Sequence, residues 1–292
     1  MPLDQPLLDR ERDDEEEAHD GTEMSFLDHL EELRWHIIRA GGAIIVFTVV
    51  AFVFIEEIYN AVILGPAKPS FWTYRMMCQL GERFNAKGLC IDKLDFTLMS
   101  REMAGQFTMA LLSSFIIGLL FAFPYAFWEL WRFVAPGLKP GERKAARGAV
   151  FYVTSLFFLG VLFGYYVVSP LAINFLANFK IDESIVNQFD IGSYISVLAT
   201  LTLACGLTFQ LPMIAYVLSQ VGVLTPRFMR EYRRHAFVVI LIVAAVITPS
   251  PDIMSQLLVA APLTLLYEVS IIVSARVNAR RLRELGMKEN LD

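Results

Sequence analysis

Three long stretches of the chain carry no Asp, Glu, Lys or Arg: between Glu102 and Glu129, between Arg147 and Lys180, and between Asp190 and Arg227. Each exceeds the roughly 20 residues that a helix needs to cross a hydrocarbon core. Lipid offers no water to a bare backbone, so such stretches are expected to be helices, whose hydrogen bonds close within the segment. Adding the shorter apolar runs, the pattern predicts six spans: 35–55, 104–128, 148–170, 192–221, 235–249 and 253–275. The last pair is expected to be a short hairpin. From Ala236 to Thr248 there are 13 residues before the TPSPD turn, about 20 Å of helix against a core of roughly 30 Å. Its partner starts at Ile253 and meets Glu268 before it ends. A re-entrant hairpin that never crosses is the alternative.

The polar joints give the orientation. Glu129–Arg147 holds Arg132, Lys139, Arg143, Lys144 and Arg147 against two acids. Thr225–His235 holds four arginines against Glu231, and the tail after Ala275 holds Arg276, Arg280, Arg281, Arg283 and Lys288. Between them, the joint near 171–190 has only Lys180, and the turn Pro249–Asp252 has no base. Basic joints stay on the cytoplasmic side, so both termini are expected there. The loop 56–102 carries six basic and six acidic residues and is placed outside; charge constrains long translocated loops only weakly.

Composition agrees with this picture. Of 292 residues 55% are hydrophobic, and the mean hydropathy is +0.50. The net charge of −5 reflects mainly the N-terminal region, where residues 1–39 hold 13 acids against four arginines, with DDEEE at 13–17. Residues 1–23 are expected to be a solvated, disordered acidic tail, 24–283 the membrane domain, and 284–292 a second tail. The first apolar stretch lies beyond residue 34 without a small-residue cleavage site, so it is expected to remain as an anchor.

Several residues are costly or oddly placed for such a protein. Pro124, Pro170, Pro212 and Pro262 lie in or beside spans and favour bent helices around a concave surface. Gln210 lies in the fourth span and Glu268 in the sixth; each is either a structural hydrogen-bonding group or part of a functional polar patch. Cys78 and Cys90 in the external loop are either a disulfide or two free thiols, and Cys205 reads as a small packing residue. Glu32 and Glu142 flank spans among basic residues. Surface ion pairing is one reading. The sharper one is that each accepts the planar fork of an arginine from a ligand.

Catalytic patterns are missing from the sequence. There is no GxxxxGK[ST] loop and no HExxH, and His19, His29, His36 and His235 show no metal-ligand spacing. The expectation is a protein that is not an enzyme, with no cofactor, no metal and no nucleic-acid partner. A small-solute transporter built of internal repeats is a competing class, but no repeat is visible.

Four segments carry a family resemblance. HLEELR (29–34), RFVAPGLKPGERK (132–144), GVLFGYYVVSPLAINFL (160–176) and ITPSPDIMSQLLVAAPLTLLYE (247–268) resemble, in order and spacing, motifs of the TatC family of twin-arginine protein translocases. The resemblance covers about residues 24–283. It implies an all-α integral membrane fold of six helices, curved and concave, with the last two short. It also implies a receptor in the bacterial cytoplasmic (inner) membrane that binds paired-arginine signal peptides of folded proteins. Its partners would be single-span TatA- and TatB-type subunits and further copies of itself within the lipid, and the proton-motive force would drive transport. Under this resemblance Glu32 and Glu142 contact the arginine pair, while Arg34, Phe133, Pro136 and Leu138 shape the site. Gln210 would meet a partner helix, and Asp252 and Gln256 would belong to the external turn and the start of the last span. Two departures stand out. Gln210 occupies a position where the family often has Glu, and the loop Pro66–Ser100 looks like a lineage-specific insertion.

Overall fold

The computed structural model describes residues 26–83, 90, 96–134, 142–182, 184, 187–248 and 253–284. The acidic tail, Pro136, Leu138 and Asp252 lie outside the described residues. The first span is α1 (Phe26–Val53), followed by a short α2 (Ile55–Ile58) that runs into a π-helical turn at Tyr59–Ile63. The loop after the first span contributes α3 (Trp72–Arg83) and strand β1 (Thr97–Met99). The second span is α4 (Gly105–Val134). The third is continuous through α5 (Glu142–Phe163), a π turn at Gly164–Val168 and α6 (Ser169–Asn178). Strand β2 (Gln188–Asp190) leads into the fourth span, α7 (Ile191–Thr208) and α8 (Leu211–Val221). A short α9 (Pro226–Glu231) precedes α10 (Arg233–Ile247) and α11 (Ile253–Glu284).

Local chemistry sets these boundaries. The Asp190 carboxylate accepts from the Gly192 amide at 2.8 Å and caps α7. The Thr225 hydroxyl accepts from the Phe228 amide at 3.3 Å, with Pro226 opening α9. Gly222, at φ 86°, supplies the left-handed residue that ends α8. Pro124 and Pro262 lie inside unbroken helices, whereas Pro170 and Pro212 stand at the start of α6 and α8.

Among the described residues, five helices are long and apolar enough to span a membrane: 31–53, 105–133, 150–178, 191–221 and 256–280. The sixth, α10, has 15 residues, so the expectation of a short helix holds there. It does not hold for α11, which runs for 32 residues. Glutamate is a good helix former, so Glu268, paired with Arg233, lies within that helix, which continues into the basic stretch 276–283. The all-helical expectation also missed the parallel pairing of β1 with β2 and the helix α3.

The spans stand as successive neighbours in an open, curved arrangement. α1 packs on α4, α4 on α7 and α5, α5 on α7, α8 on α11, and α11 on α10. The closest crossings occur where a side chain is missing. Gly118 of α4 sits against the Thr48 backbone of α1, and Gly160 of α5 sits against the Cys205 carbonyl of α7. The main core joins Val168, Leu201, Cys205, Ala244, Val259 and Leu263. Apart from it, the buried Ser219 hydroxyl donates to that of Ser274 at 2.7 Å, fastening α8 to α11.

Tyrosines knit the loop after the first span to the spans. The Tyr74 hydroxyl lies 2.9 Å from the carbonyl oxygens of both Pro66 and Pro170. Tyr165 donates to Val62 O and Tyr194 to Ile63 O, each at 2.7 Å. These phenols bury apolar rings while their hydroxyls find backbone carbonyl partners.

Candidate functional site at the basic face

At the end of the spans that carries the basic joints, α1 and α4 bring together a compact polar cluster. Its centre is His36, which is 6% exposed. Its Nδ1 lies 2.5 Å from Glu129 Oε2, and its Nε2 lies 3.8 Å from Glu32 Oε1. The first contact joins residues 93 apart in sequence. The second follows from helix spacing, since residues four apart share a face. Glu129 is 1% exposed. Tyr125, one turn earlier, hydrogen-bonds to it, and Arg39 Nη1 approaches it to 3.8 Å. An ionised carboxylate only accepts, so the short contact requires the hydrogen on His36 Nδ1.

Phe133 closes one side of the cluster, its ring edge-on to His36 with centroids 6.3 Å apart. Glu32 is half-buried and forms the outer edge, where a ligand can reach it. Thus Glu32 and Phe133, which the sequence nominated separately, meet through His36. Arg34 turns away, its guanidinium 5.6 Å from the ring centroid of Trp35. Glu142 is the first residue of α5, so it follows closely on the segment after Phe133; its side chain lies outside the described set.

The remaining nominated residues lie elsewhere. Gln210 occupies the break between α7 and α8; its Nε2 donates to Val153 O at 3.1 Å, while its buried Oε1 has no hydrogen-bond partner among the described residues. Arg233 Nη2 donates to Glu268 Oε2 at 2.7 Å, tying the start of α10 to α11. Gln256 Nε2 donates to Leu241 O at 3.0 Å and joins the two helices of the last hairpin. Cys78 and Cys90 are bonded to each other, and Cys205 is free and buried.

Sequence reasoning missed His36, Glu129 and Arg39. The Glu32–His36 spacing was available as a signal. Glu129 marked only the end of an uncharged stretch, and nothing local pairs it with a residue 93 positions away.

Comparison with known proteins places this architecture. The family model described as Sec-independent protein translocase protein (TatC) matches residues 28–262. The TatC of Blattabacterium from Periplaneta americana is 38% identical over 262 residues, covering 89% of this chain and 98% of that protein. TatCy of Bacillus subtilis is 31% identical over 253 residues, covering 87% and 89%. A crystal structure of the twin-arginine translocase receptor TatC in DDM superposes with a TM-score of 0.65 at 28% identity, covering 84% of this chain and 99% of that one. With the six-helix order, the broken fourth span and a family match across most of its length, the chain belongs to the TatC family of Sec-independent protein translocase proteins, multi-pass membrane subunits of the twin-arginine translocase.

Proposed function

We propose that this chain receives the paired-arginine signal peptides of folded proteins, with Glu32 and Glu142 each taking one guanidinium. The observation that carries this reading is the placement of Glu32. It lies at the exposed edge of a cluster whose interior acid, Glu129, is already neutralised by His36 and Arg39. Glu129 has its charge met from within, whereas Glu32 is 38% exposed and, among the described residues, meets only His36, at 3.8 Å. A carboxylate and a guanidinium match as two parallel hydrogen bonds, which an ammonium cannot copy. Phe133 supplies an apolar wall beside the acid, and Pro136 and Leu138 extend it under this reading. Arg34 orders Trp35 at the rim.

The basic face is then cytoplasmic, as the arginine-rich joints favour, and the membrane is the bacterial inner membrane. Gln210, with its unpartnered Oε1, offers an acceptor to a polar donor on a single-span TatA- or TatB-type helix; Asp252 and Gln256 shape the external hairpin. The external loop then faces an oxidising compartment, consistent with the Cys78–Cys90 bond. This reading calls for binding and conveyance driven by the proton-motive force, with no bond made or broken in the cargo.

Binding of a fluorescent signal peptide to the purified protein in lipid nanodiscs tests the reading. Charge-assisted bonds contribute about 1.5–3 kcal/mol each, so Glu32→Gln and Glu142→Gln should each weaken an Arg-Arg peptide by roughly tenfold or more. A Lys-Lys peptide should bind weakly to every form. Equal affinity of the parent protein for both peptides would overturn the assignment.

A further inference from the structure

The external helix α3 divides its circumference into three sectors. At 100° per residue, Thr73, Tyr74 and Gly81 fall together, and all three are buried against the protein. Trp72, Met76 and Leu80 follow at four-residue spacing on the neighbouring edge, and they are 50%, 44% and 42% exposed. Arg75, Gln79 and Glu82 make up a third, exposed polar edge. A helix that only capped a soluble surface would need two sectors, one apolar and buried and one polar and wet. The extra apolar edge is what a helix acquires when lipid lies on one side and water on another.

The depth of α3 fits this assignment. Its Thr73 hydroxyl donates to Tyr166 O, and Tyr74 reaches Pro170 O. The uncharged run of the third span begins after Arg147, and its spanning segment starts at residue 150. Tyr166 and Pro170 therefore lie about 24 and 30 Å along the helix from that start, at the far edge of a hydrocarbon core roughly 30 Å thick. The apolar edge is also continuous with a lipid-facing surface. Along α5 and the π turn that follows it, Leu159, Leu162 and Tyr166 are exposed in one stripe, and the Tyr166 ring meets the Trp72 ring edge-on at 6.0 Å. Tryptophan favours this interfacial level. Arg83, at the end of the same edge and exposed, has a stem long enough to carry its charge up to lipid phosphates.

We propose that α3 is an interfacial anchor that rests its Trp72–Met76–Leu80 edge in the outer leaflet of the membrane, with Arg75, Gln79 and Glu82 toward water. The occupant of this edge is lipid. The external loop, pinned to the third span by tyrosines and closed by its disulfide, thereby holds the membrane surface without help from a protein partner.

The test uses the purified full chain in nanodiscs of phosphatidylcholine and phosphatidylglycerol. Trp72 emission is isolated as the difference between the parent protein and Trp72→Phe, and is quenched with lipids brominated near the glycerol end of the acyl chain. Photoreactive benzoylphenylalanine is placed singly at Met76, Leu80, Arg75 and Gln79. The expected result is loss of the Trp72 share of emission, with lipid adducts at 76 and 80 and none at 75 and 79. Unquenched Trp72 emission, or lipid adducts at neither 76 nor 80, would overturn the proposal. Adducts from 76 and 80 to a second copy of the chain would overturn it in favour of a protein interface.

Discussion

The pair of His36 with Glu129 makes a prediction whose size and asymmetry both come from its burial. His36→Leu removes the imidazole 2.5 Å from a carboxylate that is 1% exposed. Removing the partner of a buried carboxylate costs about 3–5 kcal/mol, because its charge is left uncompensated. Here Arg39 already stands 3.8 Å away with a half-exposed side chain. It can swing onto Glu129, so the loss should fall at the lower end, about 3 kcal/mol. Glu129→Leu is the milder change. It leaves the imidazole with an unmade hydrogen bond, which costs about 1–3 kcal/mol. Replacing both by leucine removes the charges together and should be close to neutral, about 0–1 kcal/mol. Unfolding by SDS titration from DDM micelles, followed by tryptophan emission, measures all three variants against the parent. A gap of about 3 kcal/mol is roughly a hundredfold in the folded-to-unfolded ratio. If the double variant loses as much as the two single variants combined, the two side chains do not compensate one another and the reasoning fails.

Two further outcomes follow from the helix crossings and the external loop. A methyl group on Gly118 would lie 2.6 and 2.7 Å from the Thr48 amide nitrogen and Cα, so Gly118→Ala should cost about 1–3 kcal/mol by forcing α1 off α4. Gly41→Ala meets nothing within 4 Å and should gain up to about 1 kcal/mol of helix propensity in the same titration. Intact mass of the protein purified without reductant should be two hydrogens below the reduced value. Free thiols at Cys78 and Cys90 would show that the loop is not closed in the cell.

The membrane fold was largely legible in the sequence because lipid tolerates so few solutions. An uncharged stretch such as 148–179 must form a helix, and the basic joints say which ends lie together. What escaped was everything decided by contact. The full length of α11 also escaped, because hydropathy follows apolar residues only, and the helix runs on past Ala275 as a polar, arginine-rich stretch. The helix α3 has only 12 residues and sits in a loop of balanced charge, where no stretch is long enough to give a spanning signal. β1 and β2 pair across about 90 residues, with three residues in each strand, too few for alternation to register. The site was half visible. Glu32 and Phe133 were nominated from motifs, but their meeting runs through His36. A histidine at the head of an apolar helix carries no mark of the carboxylate it will find on another span. Gln210 was recognised as costly, but its particular situation, one end of the amide paired and the other bare, belongs to the break that Pro212 follows.

The π turn at Gly164–Val168 sets the phase of the third span. A π turn carries an extra residue without ending the helix, and each residue is worth about 100° of rotation. Losing one residue between 164 and 168 would let an ordinary α-helix run through. Everything from Ser169 to Asn178 would then turn by about 100°, carrying the buried Ala172, Ile173 and Ala177 round the helix and pulling the Pro170 carbonyl away from Tyr74. Hydropathy would hardly register the change, since the segment would stay equally apolar and only one residue shorter. In this span the count of residues is as binding as their identity, and a substitution inside the turn should be far better tolerated than a deletion.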